Sequence, residues 1–183
     1  MDYCARALGH PLHGPYHDEE YGFPTDDDRV LFERLVLEIH QAGLSWELML
    51  KKRRGYRAAF AGFAPERVAA YGGDEVERLR RDPGIVRNRR KIEATIDNAR
   101  RICALRREHG TFGRWLAAHH PRGRDDWVRL FRRHFAFMGP EVVGEFLMSV
   151  GYLPGAHRED CPVYRRIAAL GPPWMRAPQG TYG

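Results

Sequence analysis

Apolar residues recur along this chain with the three-and-four spacing of helices, and no stretch alternates in the period-two manner of a half-buried strand. Thr25-Asp26-Asp27-Asp28 supplies a cap and first-turn acids. Behind it Val30, Leu31, Leu35, Leu37 and Ile39 mark the inward face of a helix that stops at Ala42-Gly43. Ser45 can cap a second helix carrying Trp46, Leu48, Met49 and Leu50, with a short one around Tyr56 to Phe60. Pro65 suits the first position of a helix through Val68, Ala69 and Tyr71. A helix over Asp74 to Arg81 is broken by Asp82-Pro83-Gly84. A long one follows from about Arg89 to His109, with Ile92, Ile96, Ala99, Ile102, Cys103 and Leu105 inward and Gly110 as its stop. Asp125 to Phe135 and Glu141 to Val150 complete the series. The pattern predicts an all-α fold: residues 1–170 form a single helical domain of two lobes, and the Pro/Gly-rich 171–183 form a flexible tail.

Composition narrows the class. The chain has 183 residues, 43% apolar and 30% charged, enough for one packed soluble domain. No run approaches the roughly 20 apolar residues that span a bilayer, and Met1-Asp2-Tyr3-Cys4 opens no export signal, so no membrane partner is expected. Cys4, Cys103 and Cys161 cannot all pair with one another, which favours thiols or metal ligands and a cytoplasmic setting. The net charge of +6 is uneven, with eleven Lys and Arg between Arg78 and Arg107. Such an excess suits a polyanion, although arginines spread over solvated helix faces would give the same count.

Three groups of residues could carry chemistry. Cys4 and His17 near one end, with His157 and Cys161 near the other, make the ligand complement of a closed tetrahedral zinc site; chance spacing among nine histidines is the alternative. The segment Val76 to Ile92 reads as helix, tight turn, helix around Pro83-Gly84-Ile85-Val86, flanked by Arg87, Arg89, Arg90 and Lys91. Backbone amides at such a turn can hold a DNA phosphate without reading sequence, whereas Pro-Gly between helices is also an ordinary connector. Glu38 lies on the apolar stripe between Leu35 and Ala42. It is either one half of a core ion pair or the floor of a cavity for an NH-rich or cationic ligand, with Tyr16 and Trp46 as stacking surfaces.

The strings Tyr16-His17-Asp18-x-Glu20-x-Gly22-x-Pro24, Leu31-Phe32-Glu33 and Glu38-x-x-Gln41-Ala42-Gly43-Leu44-Ser45-Trp46 closely resemble the zinc-containing 3-methyladenine DNA glycosylase I family. The likeness continues through Tyr56-Arg57-x-x-Phe60, Gly84-Ile85-Val86-Arg87-x-x-x-Lys91-Ile92, Phe135-x-Phe137-x-Gly139 and His157-x3-Cys161, spanning about residues 1–165. It implies a two-lobed helix-hairpin-helix DNA glycosylase-like fold with a zinc site joining the terminal segments. The ion would sit on Cys4, His17, His157 and Cys161, one and structural. Glu38 would be the catalytic residue, binding substrate together with Tyr16 and Trp46, and Gly84, Ile85, Val86, Arg87, Arg89 and Lys91 would meet DNA. The activity implied is excision of a flipped 3-methyladenine from double-stranded alkylated DNA by a monomer.

The chain departs from that pattern at His13, where the family has Tyr, at His40 for Gln, at Tyr21 for Trp, and at Pro140-Glu141 for hydroxyl residues. His13 is expected beside the pocket, and lesion range is where these departures would act. A glycosylase retuned to another N3-alkyl purine, or a non-catalytic zinc-stapled binder of damaged DNA, are the alternatives.

Overall fold

The computed structural model describes residues 2–182. Among them are α1 (Tyr3–Ala7), α2 (His13–Glu19), α3 (Asp28–Gln41), α4 (Trp46–Ala59), α5 (Pro65–Ala69), α6 (Gly73–Arg81), α7 (Arg89–His109), α8 (Phe112–His119), α9 (Arg124–His134), α10 (Pro140–Ser149) and α11 (Pro162–Ala169), and no strand. Among the described residues no helix is long and apolar enough to cross a membrane.

The two expected caps act where the sequence places them, the Asp27 carboxylate accepting from the Arg29 and Val30 amides and Ser45 Oγ from Leu48; the structure adds a third, Asn88 Oδ1 accepting from Lys91. Gly110, at φ 87°, ends α7 in a conformation that disfavours other residues. The chain around Tyr56 differs from expectation. It belongs to one continuous α4 that runs through Gly55, because this glycine packs against the backbone of the hairpin turn and does not end the helix. The short helices α1, α2, α8 and α11 were not anticipated. For α8 the signal existed: Thr111 caps it, and Phe112, Trp115 and Leu116 share the helical spacing. The Pro/Gly-rich tail makes contacts with the rest of the domain. Trp174 N–H donates to Gly151 O, Tyr182 packs on the core, and its hydroxyl lies 2.9 Å from His120 Nε2. Aromatic side chains hold down a segment whose Pro and Gly content suggested fraying.

Helix α3 is the axis of the main core, buried almost all round from Leu31 to His40. Helices α4, α5, α7, α8 and α10 pack on it. Two small apolar clusters are separate from this core: Cys4, Cys161, Val163 and Ile167 in one, Tyr16, Tyr21 and Leu50 in the other. A cavity opens between α1 and α2 on one side and α3, α4 and α10 on the other.

Candidate functional site

Burying α3 on every side forces its polar residues to find partners, since an unpaired buried charge is costly. Glu33 accepts from Arg53 Nε and Arg57 Nε, both at 2.8 Å. Arg34 donates to the carbonyls of Glu20 and Ser149 at 2.7 and 2.6 Å. The His40 ring is bonded at both nitrogens, to Tyr56 OH and Thr95 Oγ1. Glu38 is the exception. It is 5% exposed and has neither a salt bridge nor a hydrogen-bonding side chain recorded among the described residues. The ion-pair reading of Glu38 therefore gives way to the cavity reading. Burial drives its carboxyl well above the usual range, the nearby Glu145 adds to the rise, and Arg34 offsets part of it.

The carboxylate lines a cavity of about 470 Å³ together with Tyr3, Arg6, Tyr16, Tyr21, Trp46 and Glu145. Tyr16 comes from α2, Trp46 from the first turn of α4, and Glu145 from α10. The Tyr16 and Trp46 ring centres are 5.1 Å apart with planes at 53°. Two jaws gripping a base need about 7 Å between them, twice an ordinary contact distance. The pair therefore forms a continuous tilted wall, with no slot for a flat ring between its members. The guanidinium groups of Arg34 and Arg53 stand 5.5 and 5.8 Å from the Tyr16 ring centre, anchoring that wall from the protein side.

Expectation and structure part at His13. This residue is fully buried, with Nδ1 3.3 Å from Tyr3 OH, and does not line the cavity. Tyr3 occupies the wall in front of it. Glu145, Tyr3 and Arg6 were not singled out from sequence. Glu145 carried a readable signal: it is the lone charge between Val142-Val143-Gly144 and Phe146-Leu147-Met148, the pattern that marked Glu38. Glu141 does reach the cavity rim, but it is exposed and held by Arg124 at 3.0 Å.

Cys4, His17, His157 and Cys161 come together as a buried group that could hold a metal ion, every ligand atom within 4.8 Å of the others. Cys161 Sγ lies 3.8 Å from His17 Nε2 and 3.6 Å from His157 Nδ1, and Cys4 Sγ lies 3.7 Å from His157 Nδ1. A tetrahedron with Zn–S near 2.3 Å and Zn–N near 2.05 Å has S···N edges of about 3.6 Å. The outer ring nitrogens are fixed as ligands require: His17 Nδ1 is 2.6 Å from the Asp18 carboxylate, and His157 Nε2 donates to Tyr21 O at 2.7 Å. The donor set fits zinc. Gly22, at φ 83°, closes around the group, since a Cβ there would stand 2.9 Å from Ala156 Cβ.

The hairpin between α6 and α7 is tied to the cavity helix by a directional relay. Val86 N–H donates to the Tyr56 hydroxyl oxygen, Tyr56 O–H to His40 Nδ1, His40 Nε2–H to Thr95 Oγ1, and Thr95 O–H to Lys91 O. One tautomer satisfies every member, and burial, with Lys91 beside it, depresses the His40 pKa to about 3, so the ring stays neutral. Lys91 itself is buried and donates to His40 O and Ala42 O at 2.9 and 2.6 Å. Its ammonium caps the end of α3 and is not free for a phosphate, contrary to the role expected for it. Ile85 is buried, and the Gly84 amide bonds to Asp82 Oδ1 at 2.7 Å. Arg87 and Arg89 remain outward, Arg89 in ion pairs with Glu93 and Glu77.

Residues 6–127 match the methyladenine glycosylase family model. A DNA-3-methyladenine glycosylase 1 from Escherichia coli K12 is 51% identical over 100 residues, which is 55% of this chain and 54% of that protein. The match to that relative thus spans about half its length. A DNA-3-methyladenine glycosylase from Haemophilus influenzae is 33% identical over 166 residues, 80% of this chain and 89% of that one. Among solved structures, a 3-methyladenine DNA glycosylase I from Staphylococcus aureus superposes with a TM-score of 0.79 at 32% identity, covering 90% of this chain and 97% of that one. A 3-methyladenine DNA glycosylase I variant in complex with 3-methyladenine gives the same TM-score and identity over 90% of this chain and 98% of its own.

Proposed function

The chain belongs to the methyladenine glycosylase family, and from that premise we propose that it is a monofunctional DNA glycosylase excising N3-methyladenine from double-stranded alkylated DNA. The observation that carries the reading is Glu38: a buried carboxylate without a partner among the described residues, at a cavity walled by Tyr16 and Trp46.

N3-methylation leaves the purine cationic, so its bond to C1′ is already weakened. The base must leave the stack to be reached. Against the Tyr16–Trp46 wall a cationic ring gains roughly 0.5–2 kcal/mol over a neutral one. Glu38 accepts from the NH-bearing edge, and its negative charge has a cation to pair with only when the base is alkylated. As the glycosidic bond breaks, its electrons neutralise the purine. Water adds to C1′ and passes its proton to solvent. Glu38 positions and selects the base; the lability of the substrate supplies much of the rate. Neutral adenine meets no complementary charge and keeps a strong bond.

A single zinc ion bound by Cys4, His17, His157 and Cys161 would fasten the N-terminal arm to the C-terminal segment, with no open position for a reacting water. Through the His157-to-Tyr21 bond the clasp reaches the cavity wall. DNA contact falls to Arg87, Arg89 and the amides at the start of α7, on a monomer.

The test is base release from methylated duplex. Wild-type protein is expected to liberate 3-methyladenine and leave abasic sites, and Glu38→Gln to slow this by at least about tenfold. Duplex binding with no abasic product in either protein would identify a damage binder instead.

A further inference from the structure

Acids in this protein are generally paired. The chain carries 30 Lys and Arg and a net charge of +6, and its other substantially buried glutamates, Glu20 and Glu33, each meet arginine within 2.8 Å. Glu145 does not. It lines the same cavity as Glu38, and its one recorded bond is from Tyr21 O–H to Oε2 at 3.1 Å. Neither Glu38 nor Glu145 forms a salt bridge among the described residues, although Arg6 shares the cavity; Arg6 is drawn 3.5 Å from Glu47. Two unpaired carboxylates facing one aromatic-walled space make it a site for positive charge.

We infer that Glu145 is a second recognition carboxylate, which with Glu38 makes the cavity selective for purines that carry a full positive charge. The inference rests on the glycosylase reading for its ligand class, and it adds a residue on α10, which packs beside the Glu38 helix on the same side of the cavity. Burial raises the Glu145 carboxyl, its bond from Tyr21 works against that rise, Glu141 adds to it and Arg124 opposes it. A cationic ligand is the missing partner that lets both acids ionise together. Tyr21 holds one Glu145 oxygen in place, so the side chain is oriented before the base arrives. Tyr21 O in turn accepts from His157, which joins this acid to the metal clasp.

The experiment is calorimetric titration of the intact protein with 3,9-dimethyladeninium, a permanently cationic purine, and with 9-methyladenine, its neutral counterpart. Wild type is expected to prefer the cation, and Glu145→Gln to reduce that preference about tenfold. Gln keeps an acceptor for Tyr21, so thermal unfolding should change little. Glu145→Ala serves as the second variant and should lower the preference similarly. An unchanged cation preference in either folded variant overturns the inference. A merely structural residue would weaken both ligands alike and leave their ratio intact, which also overturns it. Base release from methylated DNA is measured in parallel. Excision by wild type with an unaltered ratio in Glu145→Gln defeats this inference alone. A Glu145-dependent ratio without any excision supports it and defeats the enzymatic reading.

Discussion

Gly55→Ala should push the hairpin between α6 and α7 off its seat. A Cβ at this position would stand 2.3 Å from Gly84 O, 2.8 Å from Gly84 C and 2.9 Å from Gly84 Cα. Those are backbone atoms that cannot swing aside, and ordinary contact lies near 3.5 Å, so α4 and the turn must separate by about 1 Å. Two effects oppose each other. Alanine in a helix interior gains up to about 1 kcal/mol over glycine. Overpacking against rigid backbone costs roughly 1–3 kcal/mol, and a clash this severe belongs at the upper end. The net expectation is a loss of about 2 kcal/mol, or a fall in Tm of about 4–8 °C for a chain of this size. Separation would also stretch the Lys52 Nζ–Pro83 O bond of 2.6 Å and the Val86–Tyr56 bond of 3.1 Å. Thermal unfolding gives the first readout and duplex affinity across a salt series the second, with weaker binding expected. A rise in Tm by the helix-propensity gain alone, with unchanged affinity, would refute the reasoning.

Glu38→Gln should stabilise the fold while impairing excision. Its folded pKa is raised above 4.5, so the native state binds more protons than the unfolded state between the two values, and stability falls as pH rises through that window. The amide removes a cost of on the order of 1–2 kcal/mol; Tm should exceed wild type at pH 8 and match it near pH 4, and equal Tm values at pH 8 would count against an unpaired Glu38. Metal analysis should find one zinc per chain, and chelation or Cys161→Ala should cost several kcal/mol of folding stability; an unaltered melting curve after complete metal removal would exclude a structural clasp. Lys91→Met should lower Tm while leaving the salt dependence of DNA binding unchanged, because its ammonium serves two carbonyls of the α3 terminus. Arg87→Ala should do the converse, reducing the salt slope by about one, and the opposite assignment of these phenotypes would show that Lys91 reaches phosphate after all.

Much of this protein is legible along its sequence because its determinants are local. The 3.6-residue period, the caps at Asp27, Ser45 and Asn88, and the stop at Gly110 fix α3, α4 and α7 without reference to distant residues. A carboxylate on an apolar stripe is likewise a local oddity, so Glu38 stands out in the string, and Glu145 could have by the same logic. The Cys and His set is readable as a ligand complement, although only folding brings residues 153 apart in number, Cys4 and His157, to 3.7 Å.

What only the tertiary structure decided is which of two roles each ambiguous residue takes. Lys91 sits in a basic cluster by sequence, yet the end of α3 lies beside it and its charge turns inward. The pattern splits residues 46–60 into two helices, but one helix runs on through Gly55, where the turn at Gly84 leaves no room for a side chain. His13 is displaced from the cavity by Tyr3, a residue with no sequence signal of its own. Glu38 and Glu145, 107 positions apart, become one electrostatic unit only because α3 and α10 pack together. A sequence records what each side chain can do; which partner is within reach, and therefore whether a charge is satisfied or left waiting for a ligand, is a property of the packed chain.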